Sequence, residues 1–399
     1  MRISSNTLFD SNVAAMGQQQ TRLQQTQEQI ASGRKILTAS DDPVAAARAL
    51  GIGEADAMNT QYTANRNAAR HSLSLAETNL QSATSLVLDV RTALISVGNS
   101  SLTNSARQEV ARDLSGRLQE LMGLANSTDG MGNYLFSGFQ SRTQPFADTG
   151  AGVGYFGDDG QRLVQVNASR KMPSSDSGAD VFMRIKSGNG TFATQATSTN
   201  TGTGGISIGS VTNPALPTGH NYRIDFTSAT TYSVTDTTTA AVLSAGNPYV
   251  SGQAISVDGM QFEISGAPAN GDSFTIKPST NESIFTTISN MISALNTPVA
   301  SSSDSAKLSG TLIHGTRNLD NALDKILAVR ASLGVRLNEV NALQSAGDDL
   351  EMQLKQSLSE LQDLDYSKAI SELTMRQMYL QAAQQSFAKV QDLSLFKYI

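Results

Sequence analysis

The sequence predicts an α+β protein: a long α-helical coiled-coil rod formed by the N- and C-terminal segments, with an inserted all-β domain. Three observations predict it. Apolar residues recur every seven positions at both ends of the chain, as Phe9, Met16, Leu23, Ile30 and Leu37 and again as Leu373, Leu380 and Phe387. Two longer heptad ladders lie inside those ends. Between the ladders, from about Pro145 to Lys277, the chain becomes Ser/Thr/Gly-rich with short alternating runs.

The terminal stripes share one register. With Met16, Leu23 and Ile30 at d, the a positions read Val13, Gln20, Gln27 and Arg34. The far end repeats the order, with Ile370, Leu373, Gln377, Leu380, Gln384 and Phe387 matching Val13, Met16, Gln20, Leu23, Gln27 and Ile30. A lone helix with so narrow and half-polar a stripe buries too little to be stable. The two ends are therefore expected to pair, and to be largely disordered or fraying in a free monomer at residues 1–40 and 365–399. Gln at a positions makes a poor monomeric core but a good lateral contact between subunits, and a head-to-tail contact builds rings or tubes. The assembly seam is thus Phe9, Val13, Met16, Gln20, Leu23, Gln27 and Ile30 with Ile370, Leu373, Gln377, Leu380, Gln384 and Phe387.

Taken in order, Asp42 as N-cap with Pro43 at N1 predicts a helix start. Leu73, Leu80, Val87 and Leu94 then alternate with Ala76, Ala83, Val90 and Val97, and the small Ala layers allow close helix approach. Gly98-Asn99-Ser100 breaks that helix. A second follows with Val110, Leu114, Leu118, Leu121 and Leu124 on one face, ending near Asn126. Residues 133–139 are aromatic and strand-like. Further strands are expected at 163–166, 181–185, 222–226, 232–234 and 274–276, with a hairpin turn at Asp158-Asp159-Gly160. The clearest hairpin centres on Asp258-Gly259 and sets Val257 opposite Met260 and Ile255 opposite Phe262. Helix returns at Ile284, and the longest ladder runs through Leu312, Leu319, Ile326, Leu333 and Val340 until Asp363-Leu364-Asp365-Tyr366 interrupts it. The expected domains are 1–42 with 363–399 for assembly, 43–140 with 281–362 as the rod, and 141–280 as the β insert.

Several functions are disfavoured. The formal net charge of −6 supplies no basic field for nucleic acid or an anionic membrane. Charged residues make up only 16% of the 399, against roughly 25% in a typical soluble domain. That surface suits packed assemblies or the outside of cells. The chain has no cysteine, which removes disulfides, thiol nucleophiles and thiolate metal sites. The start, Met1 to Thr7, shows no secretory h-region, and no run reaches the roughly 18 apolar residues of a membrane helix. His71, His220 and His314 sit in unrelated segments without metal or triad spacing. The adjacent Asp41 and Asp42 have no His or further acid beside them, and Gly202-Thr203-Gly204-Gly205 precedes no helix that would hold a phosphate. No catalytic residue, cofactor site or metal site is expected.

Ser32-Gly33-Arg34 followed by Ser40-Asp41-Asp42-Pro43-Val44-Ala45-Ala46 resembles the N-terminal signature of the flagellin superfamily. Residues 124–130, 133–138, 329–334 and the ending Gln391-Asp392-Leu393-Ser394-Leu395-Phe396 resemble its hook-associated branch. Leu395-Phe396-Lys397-Tyr398-Ile399 departs from the Asn/Gln/Pro-rich ending of filament subunits. The resemblance covers about 1–140 and 284–399, and implies a structural adaptor between hook and filament, exported unfolded by the flagellar type III apparatus. The partners it implies are further copies in a ring, a neighbouring hook-associated protein, flagellin, and a cytoplasmic export chaperone at the C-terminal helix. A filament subunit and a glycan-binding adhesin on a coiled-coil stalk are the alternatives.

Overall fold

The computed structural model describes residues 5–98, 102–216 and 219–392. Asn99 and Ser100, expected to break a helix, and everything from Leu393 to Ile399 lie outside the described residues, as do residues 1–4. The chain forms two compact units, Met1–Ala64 with Ala342–Ile399, and Asn65–Asn341. Six α-helices are described: α1 Ser5–Ser32, α2 Pro43–Gly98, α3 Asn104–Ala125, α4 Ile284–Asn296, α5 Ser302–Gln362 and α6 Tyr366–Asp392. Among the described residues no helix is long and apolar enough to cross a membrane.

In the second unit the heptad residues of α2 and α5 are the core. Leu73, Leu80, Val87 and Leu94 are buried with Ala69, Ala76, Ala83 and Val90 between them, and Leu312, Leu319, Ile326, Leu333 and Val340 are buried on α5. The helices run antiparallel, because Arg91 pairs with Asp320 at 2.5 Å while Arg330 pairs with Glu77 at 2.7 Å. Helices α3 and α4 pack together. Helix α3 is capped by the Thr103 hydroxyl, which accepts the Ala106 N–H, and α4 by Ser283, which accepts Thr286 N–H. Gly315 lets α4 and α5 approach closely, since a Cβ there would strike the Met291 side chain.

The strands divide into two groups. The first comprises two short hairpins, β1 Phe146–Asp148 with β2 Val153–Tyr155 and β3 Leu163–Asn167 with β4 Arg170–Pro173, followed by β5 Ile185–Lys186. The second is a sandwich of two sheets. It contains β6 Phe192–Ala196, β7 Gly205–Ile206, β8 Ser210–Val211, β9 Tyr222–Ser228, β10 Thr231–Asp236, β11 Ala241–Pro248, β12 Ala254–Val257, β13 Met260–Ser265 and β14 Ser273–Pro278. One sheet has the order β11-β10-β9-β14-β6; in the other, β13 lies between β12 and β7 and also pairs with β8. Alternate residues such as Tyr222, Ile224 and Phe226 point into a core shared with Phe262, Ile264, Phe274 and Ile276. A last short strand, β15 Asn281–Glu282, pairs with β5 and returns the chain to α4.

The Asp258-Gly259 hairpin has the expected pairs, Val257 with Met260 and Ile255 with Phe262. Asp258 and Gly259 both take positive φ, 44° and 73°, as a tight primed turn requires. The Tyr222 hydroxyl donates to Asp258 at 2.5 Å and anchors the turn to the core. Three local expectations are corrected. Residues 133–139 are not a strand but a run of turns, because carboxylates replace the ladder: Asp129 accepts the N–H of Met131 and Asn133, and Asp158 accepts those of Phe139 and Gln140. Asp158-Asp159-Gly160 accordingly clamps that run and joins no hairpin, since β2 pairs with β1 and β3 with β4. Residues 181–183 lie in a π-helical turn, Ala179–Met183, which points Phe182 into a buried cluster with Phe136, Phe146 and Phe285.

That aromatic cluster attaches residues 146–186 to the helices. The Phe146 ring lies 5.2 Å from that of Phe285 on α4. Ion pairs add to it: Asp176 with Arg336 at 2.6 Å, nearly buried on both sides, Asp180 with Lys325 at 2.8 Å, and Arg170 with Glu339 at 2.7 Å. From α2, Asn65 donates to the Gln165 carbonyl and Arg66 to that of Val166. The hairpin β3–β4 therefore bonds to both α2 and α5. The sandwich is tied to α5 more sparsely, through Ser303 donating to the Asn200 carbonyl.

Two outcomes follow from these attachments. Joining Thr191 to Ser279 by a short linker, which removes 192–278, is expected to leave helical melting within a few degrees of the parent. Joining Thr143 to Asn281 strips Phe285 of its aromatic partners and Arg336 of Asp176, and is expected to lower the melting temperature by roughly 10 °C or more. Equal melting of the two, followed by circular dichroism, would place residues 146–186 outside the helical core. The second outcome concerns His314, whose imidazole burial pushes below its ordinary value. Its buried Nε2 has no hydrogen-bond partner among the described residues. A folded value below the unfolded one means full stability above about pH 6.5 and progressive loss as pH falls through the folded value. Urea titrations at pH 7 and pH 5 are expected to show that loss, and His314→Gln to reduce it.

Candidate functional site

The terminal unit is built on an antiparallel pair of helices. Phe9 of α1 packs on Phe387 of α6 with ring centroids 5.2 Å apart, and Arg376 donates to the Arg22 carbonyl at 2.9 Å midway along the pair. Near the end of α1, Gly33 takes φ +68°, and a Cβ there would come within 2.9 Å of the Tyr366 hydroxyl oxygen. Gly33 is therefore both the left-handed stop of α1 and the clearance for the start of α6. The crossing is sealed by backbone bonds: Leu364 N–H donates to the Gly33 carbonyl and Lys35 N–H to that of Gln362. Arg34, the last a position, falls in this bridge opposite Asp363, and Leu37 lies beyond the helix.

The helices meet on one face only. Of the d row, Met16, Leu23, Ile30, Leu373, Leu380 and Phe387 are half-buried, and Phe9 remains 45% exposed. The neighbouring row inside the contact is not a but g: Asn12, Gln19, Thr26 and Gly33 on α1 with Ala369, Arg376 and Ala383 on α6. Thr26 and Ala369 are the most buried residues of the pair, because small side chains let the backbones approach. Sequence reasoning missed this row because only its Ala members are apolar; its signal is the small size of Thr26, Gly33, Ala369 and Ala383. The whole a row, Val13, Gln20, Gln27, Ile370, Gln377 and Gln384, is exposed, with Val13 at 47% and Ile370 at 53%. Further apolar residues of α6, Met375, Met378 and Tyr379, are uncovered too.

The link from α1 to α2 is held by two aspartates in different roles. Asp42 Oδ1 accepts the Ala45 N–H at 2.9 Å, with Pro43 opening the helix behind it. Asp41, whose role the sequence did not reveal, organises the loop: its carboxylate accepts the N–H groups of Thr38 and Leu37 and the Gln25 amide. The Thr38 backbone bond is the largest cause holding its carboxyl below the usual range. In the same unit, Asn59 of α2 donates to the Gly347 carbonyl of α5 at 2.8 Å. Among the described residues no group of three or more His, Asp or Glu is placed to hold a metal ion. His220 is engaged with Asp236 at 2.7 Å in the β sandwich, far in the chain from His71 and His314.

Comparison with known proteins accounts for both ends and the middle. Residues 3–141 match the bacterial flagellin N-terminal helical region and 316–399 the bacterial flagellin C-terminal helical region. Residues 195–278 match the D2-like domain of flagellar hook-associated protein 1. Flagellar hook-associated protein 3 of Salmonella typhimurium is 28% identical over 398 residues, covering 100% of this chain and 99% of that protein. The crystal structure of Xanthomonas campestris FlgL is 35% identical with a TM-score of 0.73, covering 77% of this chain and 99% of that one. The flagellar junction protein FlgL of Legionella pneumophila is 35% identical with a TM-score of 0.70, covering 79% and 100%. With flagellin helical regions at both termini and these relatives aligned along nearly their full lengths, the chain belongs to the flagellar hook-associated protein 3 family of flagellin-like hook–filament junction proteins.

Proposed function

We propose that this protein is a non-catalytic structural adaptor that joins the hook, through a neighbouring hook-associated protein, to the flagellin filament. Its relatives are structural proteins of the flagellum. The observation that carries the finer reading is the uncovered a row of the α1–α6 pair. A two-helix contact covers one stripe of each helix, and here the second stripe, Val13 and Ile370 with four glutamines, faces solvent along the whole pair. Copies side by side in a ring bury it, and Gln at these positions finds hydrogen-bond partners across the subunit boundary. In this reading residues 1–42 with 363–399 form the assembly domain, 43–140 with 281–362 the rod, and 141–280 the variable insert.

The d row of α6, which α1 covers in the folded pair, suits export. Before assembly the α6 stripe of Leu373, Leu380 and Phe387 is an amphipathic helix for the groove of a cytoplasmic chaperone, and the chain travels unfolded to the flagellum outside the cell. The absence of cysteine in all 399 residues avoids oxidative cross-linking on that route.

Deletion of the gene is expected to leave intact hooks while filament is shed into the medium. Restoring the chain with Val13→Glu and Ile370→Glu is expected to leave filaments still detached. Both positions are exposed, so the monomer should lose no more than about 0.5 kcal/mol per site. Electron microscopy of the cells and melting of the purified variant separate assembly from folding. Filaments that stay on their hooks in the deletion strain contradict the adaptor role.

A further inference from the structure

The terminal unit carries an open groove as well as an open stripe. The groove, about 520 Å³, lies where the loop after α1 meets the start of α2. Its walls include Ile36, Leu37, Ala46, Leu50, Gly53 and Glu54. Leu50 is 66% exposed at the rim, and a Cβ placed on Gly53 meets nothing within 4 Å. Ala46, Ala49, Gly53 and Ala57 follow one another along one side of α2, so its floor is low enough for a second helix to lie close.

We propose that this groove receives the exposed face of α6 from a second copy of the chain, with Met375, Met378 and Tyr379 as the inserted side chains. The inference rests on the adaptor reading above and names the surface that receives each neighbour. Three observations select this occupant. Met375, Met378 and Tyr379 are 44%, 55% and 58% exposed, so α6 presents an apolar face that its partner α1 leaves uncovered. Charge is complementary: residues 36–57 carry Asp41, Asp42, Glu54 and Asp56 against a single base, Arg48, whereas Lys368 and Lys389 lie on the same outward row of α6 as Met375, Arg376 being taken up in the contact with α1. Reach excludes the chain's own α6. That helix starts beside the groove, at the Gly33–Leu364 bond, and runs away from it along α1, which puts Met375 to Tyr379 roughly 13–20 Å down the helix at 1.5 Å per residue. Leu373 and Leu380 hold it there against α1. A groove and a stripe on different parts of one unit make a heterologous contact, the kind that repeats from copy to copy into a ring or a helical layer.

The cysteine-free chain gives a direct test with full-length protein. One preparation carries Leu50→Cys and another Met378→Cys; they are mixed under mild oxidation at concentrations where sedimentation shows self-association of the parent. The heterodisulfide is expected to form at least tenfold faster than for Met378→Cys mixed with Val242→Cys, an exposed position on β11. Gly53→Phe is expected to fill the groove, leave melting unchanged and weaken self-association at least tenfold. If the parent associates but the Leu50–Met378 pair cross-links no faster than the control, the groove is not the receiving surface while the adaptor role stands. If Gly53→Phe associates as the parent does, the same conclusion holds. A parent that stays monomeric at millimolar concentration also overturns the groove as a self-docking site, and the adaptor role is then decided by the deletion strain alone.

Discussion

The terminal unit is governed by the small area that two long helices can share. An antiparallel pair buries one stripe on each partner, and α1 and α6 use theirs on the d and g rows, where Thr26 and Ala369 bring the backbones together. Nothing on either helix covers the a row, so Val13 and Ile370 stay about half exposed. Hydrophobic gain scales with area removed from water, and half-buried side chains return only part of the roughly 1.5–3 kcal/mol that full burial of one large apolar side chain provides. Ordering each residue meanwhile costs about 1–2 kcal/mol of backbone entropy. A pair 28 and 27 residues long therefore leaves half of its seam uncovered, which is the ground for the proposal that further copies complete it.

The second unit shows the contrasting solution with the same heptad grammar. There Leu73, Leu80, Leu94, Leu319, Ile326 and Leu333 are fully or almost fully buried, because α3, α4 and the segment 146–186 close over the ladder and add the aromatic cluster of Phe136, Phe146, Phe182 and Phe285. One chain thus carries a finished core beside an unfinished one. On the proposed function, that difference divides labour between a unit that supplies its own core and a unit that gains stability on assembly.

Much of the fold was legible because it rests on local chemistry. Pro43 behind Asp42 marks the start of a 56-residue helix, and the Asp-Gly pair at 258–259 fixes its hairpin to the residue. The matching order of a and d residues at the two ends identifies the helices that pair, since periodicity is a property of sequence. What escaped depends on contacts distant in sequence. Residues 133–139 look like a strand until the carboxylate of Asp158, some twenty positions on, takes their N–H groups. Phe182 belongs to a π-helical turn because Phe136, Phe146 and Phe285 surround it. On the seam, the heptad identified the paired helices and their d row, but hydrophobicity did not reveal the g row that joins it in the contact, because Asn12, Gln19, Thr26 and Arg376 reach the contact by size and geometry.

Amide hydrogen exchange compared between verified monomer and assembled protein tests most directly the claim that the termini are completed by neighbours. In the monomer the account predicts little protection along residues 5–32 and 366–392 and strong protection along 73–97 and 312–340, with the terminal helices becoming protected on assembly. Terminal helices as strongly protected in the monomer as the buried ladder of α2 and α5 would contradict it.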